Sequence, residues 1–334
     1  MNHPKISVVI ATYNVEEYIA ETMESLLGQS FPAHEILIIN DGSTDGTLAL
    51  LESAYAGMSN VIIHTQANQG VGVVREVGFE KATGDYIFFC DPDDVVDLEL
   101  FTRFAEAVAE NTALELFYFS KRSFTESANG RQFLRRDTAP SREGWYAQGT
   151  ELLEDLILSK KYKPTVWQYI FKKSMTERFD VSFKGRAQED QLFSMNVYLN
   201  SRCCYATRKD LYFQRVRSGS LTNGLKDEAF VWSGYSAYRD VMAVFKPKIH
   251  CFKHKREVAM VYMHGRVSFL IDRCVKNHVR LPPGIVSLTR QDARDCNLGF
   301  RGGLTLVAPQ VSFMFKRLRV STRKSSKLFW RRKG

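Results

Sequence analysis

Three carboxylates occupy four consecutive positions in the segment Asp91-Pro92-Asp93-Asp94. The segment directly follows an apolar run, residues 86–90, which predicts a buried strand. Mg²⁺ and Mn²⁺ prefer oxygen ligands and are commonly held by one or two carboxylates together with phosphate oxygens. We therefore predict a divalent-metal site (Mn²⁺ or Mg²⁺) on Asp91 and Asp93, with Asp93 as the first choice of ligand. The alternative is a turn in which Asp94 caps the next helix.

A second acidic segment, Gln188-Glu189-Asp190-Gln191, opens a predicted helix over residues 188–200. A displacement reaction with a hydroxyl nucleophile needs a group that removes the hydroxyl proton, and a nearby carboxylate can do this. We predict that Asp190 is this general base, with Glu189 as its neighbour or substitute. The alternative is that both acids only favour the positive end of a helix dipole.

Polar and aromatic residues also follow the other predicted strands. Thr12 and Tyr13 follow the first strand, and Tyr13 offers a face on which a nucleobase can stack, with packing as the alternative role. Asp41 follows the second strand and can accept a hydrogen bond from a base or a ribose. Arg75 lies in a segment that lacks the third glycine of a dinucleotide-binding fingerprint. We expect Arg75 to contact nucleotide or phosphate instead.

The elements that must position these residues alternate as strand and helix, which predicts a mostly parallel α/β sheet. Ligands bind such sheets at the carboxyl ends of the strands, where the polar segments lie. The predicted strands span residues 6–11, 35–40, 61–65, 86–90 and 114–119, with another near 210–214. The predicted helices span residues 16–28, 46–56, 71–83, 97–110, 149–160 and 188–200. Residues 121–143 are expected to form a hairpin or a mobile loop.

Charge is distributed unevenly along the 334 residues, although the net formal charge is +9. Residues 1–225 carry 23 Lys/Arg against 30 Asp/Glu, whereas residues 226–334 carry 23 against 7. This asymmetry predicts a front part that handles cations or sugars and a rear part that faces an anionic partner. We place the domain boundary near residue 225. The rear part is expected to be a helical module that either shapes the binding site of the molecule carrying the hydroxyl nucleophile, called the acceptor, or forms an oligomer contact.

Several features of the sequence predict a cytoplasmic location. The N-terminal apolar run is short and lacks the pattern of a secretory signal. The longest uncharged run spans only residues 302–315 and contains Pro309, so no membrane-spanning helix is expected. The six cysteines show no metal-binding spacing, and a reducing compartment fits them best.

The last 19 residues, 316–334, form a basic tail with nine Lys/Arg and no acid, interleaved with apolar and aromatic residues. Such a segment favours attachment to anionic lipid at a membrane surface. A solvated tail is the alternative, and nucleic acid is a poorer partner because no nucleic-acid-binding module precedes the tail. We therefore predict peripheral association with the inner face of the cell membrane.

Taken in order, these motifs resemble glycosyltransferase family 2, an inverting group built on the GT-A fold. The resemblance covers about residues 5–220 and includes a motif from Trp167 to Phe171 as well as the Glu189-Asp190 pair. Its opening segments are Ile6-Ser7-Val8-Val9-Ile10-Ala11-Thr12-Tyr13-Asn14, Asn40-Asp41-Gly42-Ser43-Thr44-Asp45-Gly46-Thr47 and Ala82-Thr83-Gly84-Asp85-Tyr86-Ile87. The resemblance implies a nucleotide-sugar donor, a divalent metal and inversion at the anomeric carbon.

By the same resemblance, Tyr13 and Asp41 hold the nucleobase of the donor, and Arg75 fixes the nucleotide. Asp91 and Asp93 form the Asp-x-Asp site, and Asp190 would be the general base that removes the acceptor proton. A downstream loop, residues 212–220, resembles one that closes near the diphosphate, which makes Arg217 and Ser220 weaker candidates beside a plain surface loop. Two departures are Ala11 in place of a proline and Glu76 in place of an asparagine, and the second could change a donor contact.

The sequence thus predicts transfer of a sugar, most simply from a UDP-sugar, to a glycan or a lipid-linked glycan in surface polysaccharide synthesis. Two alternatives remain open at this point. A sugar-nucleotide nucleotidyltransferase also uses an α/β sheet and paired carboxylates, but it expects a glycine-rich phosphate loop that Thr12-Tyr13-Asn14 does not supply. A catalytically silent, membrane-associated binding protein would keep the pocket without the reaction.

Overall fold

The computed structural model describes residues 3–127, 130–134, 138–181, 183, 188–217 and 227–298. Two of the predicted features, Ser220 and the basic tail, lie outside these described residues. The chain divides into two compact units, residues 1–223 and residues 224–334.

Within the described residues, the first unit is built on one sheet of ten strands. The strands are β1 (Ile6–Thr12), β2 (Glu35–Asn40), β3 (Val61–Thr65), β4 (Tyr86–Cys90), β5 (Val95–Val96), β6 (Leu116–Ser127), β7 (Gly130–Phe133), β8 (Gly144–Tyr146), β9 (Tyr169–Lys172) and β10 (Cys204–Arg215). Their order is β3-β2-β1-β4-β9-β6-β10-β5, with β7 paired to β6 and β8 paired to β10.

The half of the sheet that carries the predicted site is parallel. β1 runs parallel to both of its neighbours, β2 and β4, and β2 runs parallel to β3. β9 lies antiparallel between β4 and β6, and β6 is parallel to β10. The prediction of an α/β fold is therefore confirmed. Parallel pairing holds for β3-β2-β1-β4, whereas the other half of the sheet mixes parallel and antiparallel pairs.

The described residues of this unit also form six α-helices and a short 3₁₀ helix at Lys173–Arg178. The α-helices are α1 (Ile19–Leu27), α2 (Thr47–Tyr55), α3 (Val71–Lys81), α4 (Leu100–Glu110), α5 (Gly149–Leu158) and α6 (Asp190–Asn200). Ile6, Val8 and Ile10 of β1 face a core that includes Met23 of α1 and Phe101 of α4. On the opposite face α3 lies against the sheet, since a Cβ at Gly78 would meet the side chain of Val9. Burial on both faces explains why β1 and β2 are nearly uniform apolar runs.

Several element boundaries differ from the sequence predictions. The fifth strand is not confined to residues 114–119, because β6 extends to Ser127 and forms a hairpin with β7. The strand expected near 210–214 is the end of a longer strand, β10, which begins at Cys204. β9 was not predicted at all, because its four residues carry too short a pattern to identify.

The described part of the second unit is helical, as the sequence predicts. Its helices are α7 (Glu228–Phe245), α8 (Lys255–Lys276) and α9 (Ile285–Asp295), with a short 3₁₀ helix at Lys246–Cys251. Buried Asp292 accepts hydrogen bonds from Tyr238 (3.0 Å) and Lys246 (2.8 Å), which ties α9 to α7 and the 3₁₀ helix. Among the helices described, none has both the length and the apolar character needed to cross a membrane.

Candidate active site

The carboxyl ends of three neighbouring strands meet at one edge of the sheet. Thr12 at the end of β1 lies beside Asn40 at the end of β2, and β4 runs parallel on the other side of β1. The residues that follow these strands, Tyr13, Asp41 and Asp91, therefore emerge at the same edge. This is the edge at which parallel α/β sheets bind their ligands.

Asp41 is almost fully buried and organises the loop that leads into α3. Its carboxylate accepts hydrogen bonds from Gln66 Nε2 (2.9 Å), from the backbone N–H of Gln69 (2.9 Å) and from the backbone N–H of Gly70 (2.8 Å). Gly70 has a φ of +89°, a conformation that side chains with a Cβ rarely adopt. Asp41 thus fixes the backbone at the entrance to α3, and its contact with a base stays a prediction.

Thr12 and Tyr13 are placed very differently, although they are adjacent. Thr12 is buried, and its hydroxyl donates to the carbonyl oxygen of Ile39 at 3.3 Å, so its side chain belongs to the sheet. Tyr13 is 47% exposed, which leaves its ring accessible to a stacking partner. The loop beyond it is held by Asn14, whose Oδ1 accepts from the backbone N–H of Thr44 at 2.8 Å.

The segment Asp91-Pro92-Asp93-Asp94, called the acidic turn below, connects β4 to β5. Asp94 is only 2% exposed, and its carboxylate accepts hydrogen bonds from the Tyr212 hydroxyl (2.7 Å) and the backbone N–H of Arg215 (2.7 Å). Asp94 does not cap a helix, because α4 begins six residues later at Leu100. It anchors the turn to β10 instead.

The other two carboxylates of the acidic turn each contact an arginine. Asp91 Oδ1 lies 3.1 Å from Arg75 Nη2, and Asp93 Oδ2 lies 2.6 Å from Arg217 Nε. Arg75 also donates from Nη1 to Glu189 Oε1 at 2.7 Å. One guanidinium, with a side chain only 9% exposed, therefore joins the acidic turn to the second acidic segment.

Burial shapes the ionisation of this group. Removal from water raises the pKa of Asp91 to about 6; Arg75 opposes this shift, and the neighbouring Asp93 adds to it. Burial also raises the pKa of Asp94 well above its ordinary value. For Arg75, burial alone would lower the pKa, but the charges of Asp91, Glu189 and Asp190 outweigh it and raise the pKa. Arg75 therefore stays charged.

The Glu189-Asp190 pair lies where α6 begins, with Asp190 as the first helical residue. Asp190 is partly buried and directly follows Glu189, whose carboxylate contacts Arg75. Glu76, one of the two departures from the family pattern, accepts a hydrogen bond from the backbone N–H of Phe183 at 2.7 Å. Glu76 thus holds a neighbouring chain segment in this structure.

The acidic turn fits a cation of the type that takes one or two carboxylates and completes its shell with phosphate and water. Asp91 and Asp93 each use one oxygen in an arginine contact, and their hard oxygens suit Mg²⁺ or Mn²⁺. Across the part of the chain that the structure describes, no group of three or more His, Cys, Asp or Glu side chains could hold a metal by itself. A metal here would need ligands from a bound phosphate.

Sequence reasoning missed the residues that support the acidic turn from β10 and α1. Arg215 donates to the carbonyl oxygen of Asp93 at 2.8 Å and pairs with Glu21 at 2.5 Å. Tyr18, just before α1, was missed as well; its ring lies under the guanidinium of the predicted candidate Arg217, 4.8 Å from ring centroid to Cζ. These partners are far apart in the chain, so no local pattern reveals them.

The chain resembles a known family over much of its length. Residues 7–170 match the family model described as glycosyl transferase family 2. EpsH of Bacillus subtilis (strain 168) is 28% identical over 81% of this chain and 78% of its own length. TarS of Staphylococcus aureus (strain MW2), named a poly(ribitol-phosphate) beta-N-acetylglucosaminyltransferase, is 30% identical over 64% of this chain. The match spans only 36% of TarS, so the chain corresponds to about a third of that protein.

Solved structures share the fold. The crystal structure of S. aureus TarS 1-349 superposes with a TM-score of 0.68 at 21% identity, covering 96% of this chain and 92% of that one. The same fragment in complex with UDP-GlcNAc gives a TM-score of 0.60. The prediction of a GT-A fold is therefore confirmed. The family model together with these relatives identifies residues 7–170 as a glycosyltransferase family 2 domain and the chain as a glycosyltransferase.

Proposed function

We propose that the chain transfers a sugar from a UDP-sugar to a hydroxyl group of a glycan or lipid-linked glycan during surface polysaccharide synthesis, with inversion at the anomeric carbon. Support for the donor comes from the family and from the TarS fragment, which has been crystallised with UDP and with UDP-GlcNAc. Family membership favours transfer over the nucleotidyltransferase and the silent binding protein.

One observation carries this proposal: Arg75 bridges Asp91 of the acidic turn and Glu189 beside the candidate base. The two acidic segments are 98 positions apart from Asp91 to Glu189, yet one side chain contacts both. A transferase requires donor-binding carboxylates and a proton acceptor around the same reacting carbon. The Arg75 bridge, which brings Asp91 and Glu189 to one guanidinium, supports such an arrangement.

The donor would lie along the sheet edge. Tyr13 would stack on the base and Asp41 would accept a hydrogen bond from the base or ribose, since both follow strands that end at this edge. The main chain of Thr12, whose side chain is buried, would complete this subsite. Arg217, and Ser220 beyond the described residues, would bind the diphosphate. Arg75 would then act on the nucleotide through its hold on Asp91.

The transfer step would use Asp190. Its carboxylate would accept the proton of the acceptor hydroxyl while the hydroxyl oxygen forms a bond to the anomeric carbon. The bond from that carbon to the diphosphate oxygen breaks, and its electron pair leaves with UDP. Attack from the face opposite the leaving group inverts the configuration. A divalent cation on Asp91 and Asp93 would neutralise charge on the leaving diphosphate.

We place this reaction at the inner face of the cell membrane. The basic tail, residues 316–334, has the composition of a lipid-surface anchor. Each basic residue near an anionic leaflet contributes about 1 kcal/mol of attraction. A lipid-linked acceptor would be met at that surface. The second unit would then shape the acceptor side or an oligomer contact.

The proposal is tested by a panel of UDP-, GDP- and dTDP-sugars, with and without Mn²⁺. A bound donor raises the melting temperature because it binds only the folded state. We expect one UDP-sugar to stabilise the wild type in a Mn²⁺-dependent manner and to be turned over with release of UDP. Asp93→Asn should lose the Mn²⁺ dependence. Stabilisation by none of the donors, with no UDP release, would contradict the proposal.

A further inference from the structure

The acidic turn is held by a tyrosine of β10 rather than by its own backbone alone. The Tyr212 hydroxyl donates a hydrogen bond to Asp94 Oδ2 at 2.7 Å. The hydroxyl oxygen of Tyr212 also accepts a hydrogen bond from the backbone N–H of Asp91 at 3.2 Å. One hydroxyl thus connects the first and the last residue of the turn.

The position of that hydroxyl is itself fixed by packing. Tyr212 is fully buried, and its ring stacks on Trp167 with a centroid distance of 4.7 Å and an interplanar angle of 11°. Phe88 meets the ring edge-on at 6.3 Å. Val96, two residues after the turn, pairs with Tyr212 across the β5–β10 ladder. The ring therefore has little freedom to shift, and neither has its hydroxyl.

Arg215, three residues after Tyr212 at the end of β10, holds the same turn. Its backbone N–H donates to Asp94 Oδ1 at 2.7 Å, and its Nε donates to the carbonyl oxygen of Asp93 at 2.8 Å. Both oxygens of the Asp94 carboxylate are thus engaged by β10. Asp94 is thus bound to β10, whereas Asp91 and Asp93 contact arginines.

We propose that Tyr212 is a positioning residue, which sets the geometry of Asp91 and Asp93 through Asp94 and the Asp91 amide, with Trp167 fixing its ring. This inference rests on the proposed function, in which Asp91 and Asp93 hold the metal and diphosphate. It gives the Trp167 motif of the sequence a physical role. Partners that orient metal ligands typically affect metal affinity by 10–100-fold.

The test compares Tyr212→Phe with a matched control, Tyr118→Phe. Tyr118 is also buried, and its hydroxyl likewise donates one bond, to the Thr138 carbonyl (2.7 Å), and accepts one, from Gln168 Nε2 (2.7 Å). Each substitution removes one buried hydroxyl with two such bonds, so both should lower stability to a similar extent.

UDP affinity is measured by calorimetry over a series of Mn²⁺ concentrations. We expect Tyr212→Phe to weaken Mn²⁺-dependent UDP binding by on the order of tenfold or more, and Tyr118→Phe to leave it within about twofold. Equal effects of the two variants on UDP binding would overturn the inference, because they would reduce the role of Tyr212 to general stability.

A second measurement decides the matter without any ligand. Amide hydrogen exchange in residues 91–96 should be faster in Tyr212→Phe than in wild type and unchanged in Tyr118→Phe, because only the first loses a bond to this turn. Unaltered exchange in Tyr212→Phe would also overturn the inference. A wild type that binds no UDP would end the proposed function, while the exchange comparison would still test the hold of Tyr212 on the turn.

Discussion

Removal of the Arg75 guanidinium should destabilise the first unit far more than removal of a surface arginine. Arg75 is 9% exposed, and it joins Glu189, which is 13% exposed, to Asp91, which is 30% exposed. Breaking a buried ion pair from one side costs about 3–5 kcal/mol, because the remaining charge is left without compensation. Since Asp91 retains some access to water, we expect Arg75→Met to cost about 3 kcal/mol, at the lower end of that range.

The matched control is Arg103→Met. Arg103 pairs with Glu99 at 2.7 Å, as closely as Arg75 pairs with Glu189, but the pair lies on the surface of α4 with side chains 30% and 60% exposed. Exposed pairs of this kind contribute about 0.3–0.5 kcal/mol. The free energy of unfolding is measured by urea denaturation at pH 7.5 for both variants and the wild type.

A double-mutant cycle identifies the pairing itself. Arg75→Met and Glu189→Gln should show a coupling energy of about 1–3 kcal/mol, because residues in one ion-pair network are not additive. A cost below about 1 kcal/mol for Arg75→Met, or additive effects of the two substitutions, would refute the conclusion that Arg75 is a buried bridge between the two acidic segments.

Three further predictions follow from other parts of the molecule. Gly78→Ala should destabilise the protein by about 1–3 kcal/mol, because the added methyl group would meet Val9 of β1; an unchanged urea midpoint would contradict this packing. Burial opposes ionisation of Glu35, but hydrogen bonds from Ser7 and Thr83 outweigh it and lower the pKa; its contribution is present above the ordinary glutamate pKa and is lost as pH falls below it. Glu35→Gln should therefore flatten the loss of stability on acidification below about pH 4.5, and an unaltered slope would argue against these bonds. Deletion of residues 316–334 should abolish sedimentation with vesicles containing phosphatidylserine, whereas unchanged sedimentation would end the proposed role of the basic tail.

The parallel half of the sheet could be predicted from the sequence because its strands are buried on both faces. β1, β2 and β4 are apolar runs of five to seven residues, bounded by turn-forming segments, and such runs identify themselves locally. β9 could not be found in this way, since its four residues pair with strands far away in the chain. Its position between β4 and β6 is a property of the tertiary fold.

The candidate site follows the same division. The ends of the predicted strands correctly located Asp41 and the acidic turn, because a parallel sheet brings its carboxyl ends to one edge. The pairing of Arg75 with Glu189 and of Asp94 with Tyr212 could not be predicted, because the partners are 114 and 118 positions apart. The one available signal was the position of Arg75, which lies on the face of α3 that otherwise carries valine and glycine. An arginine on a buried face needs an acidic partner.

The central claim is that the acidic turn and the Glu189-Asp190 pair form one site for transfer. The most direct measurement compares donor binding and sugar transfer in Asp190→Asn with the wild type, using the UDP-sugar and acceptor that the wild type accepts. We predict that Asp190→Asn binds the donor within about twofold of wild type, while its transfer rate falls by about a hundredfold or more. Transfer at the wild-type rate would contradict the account.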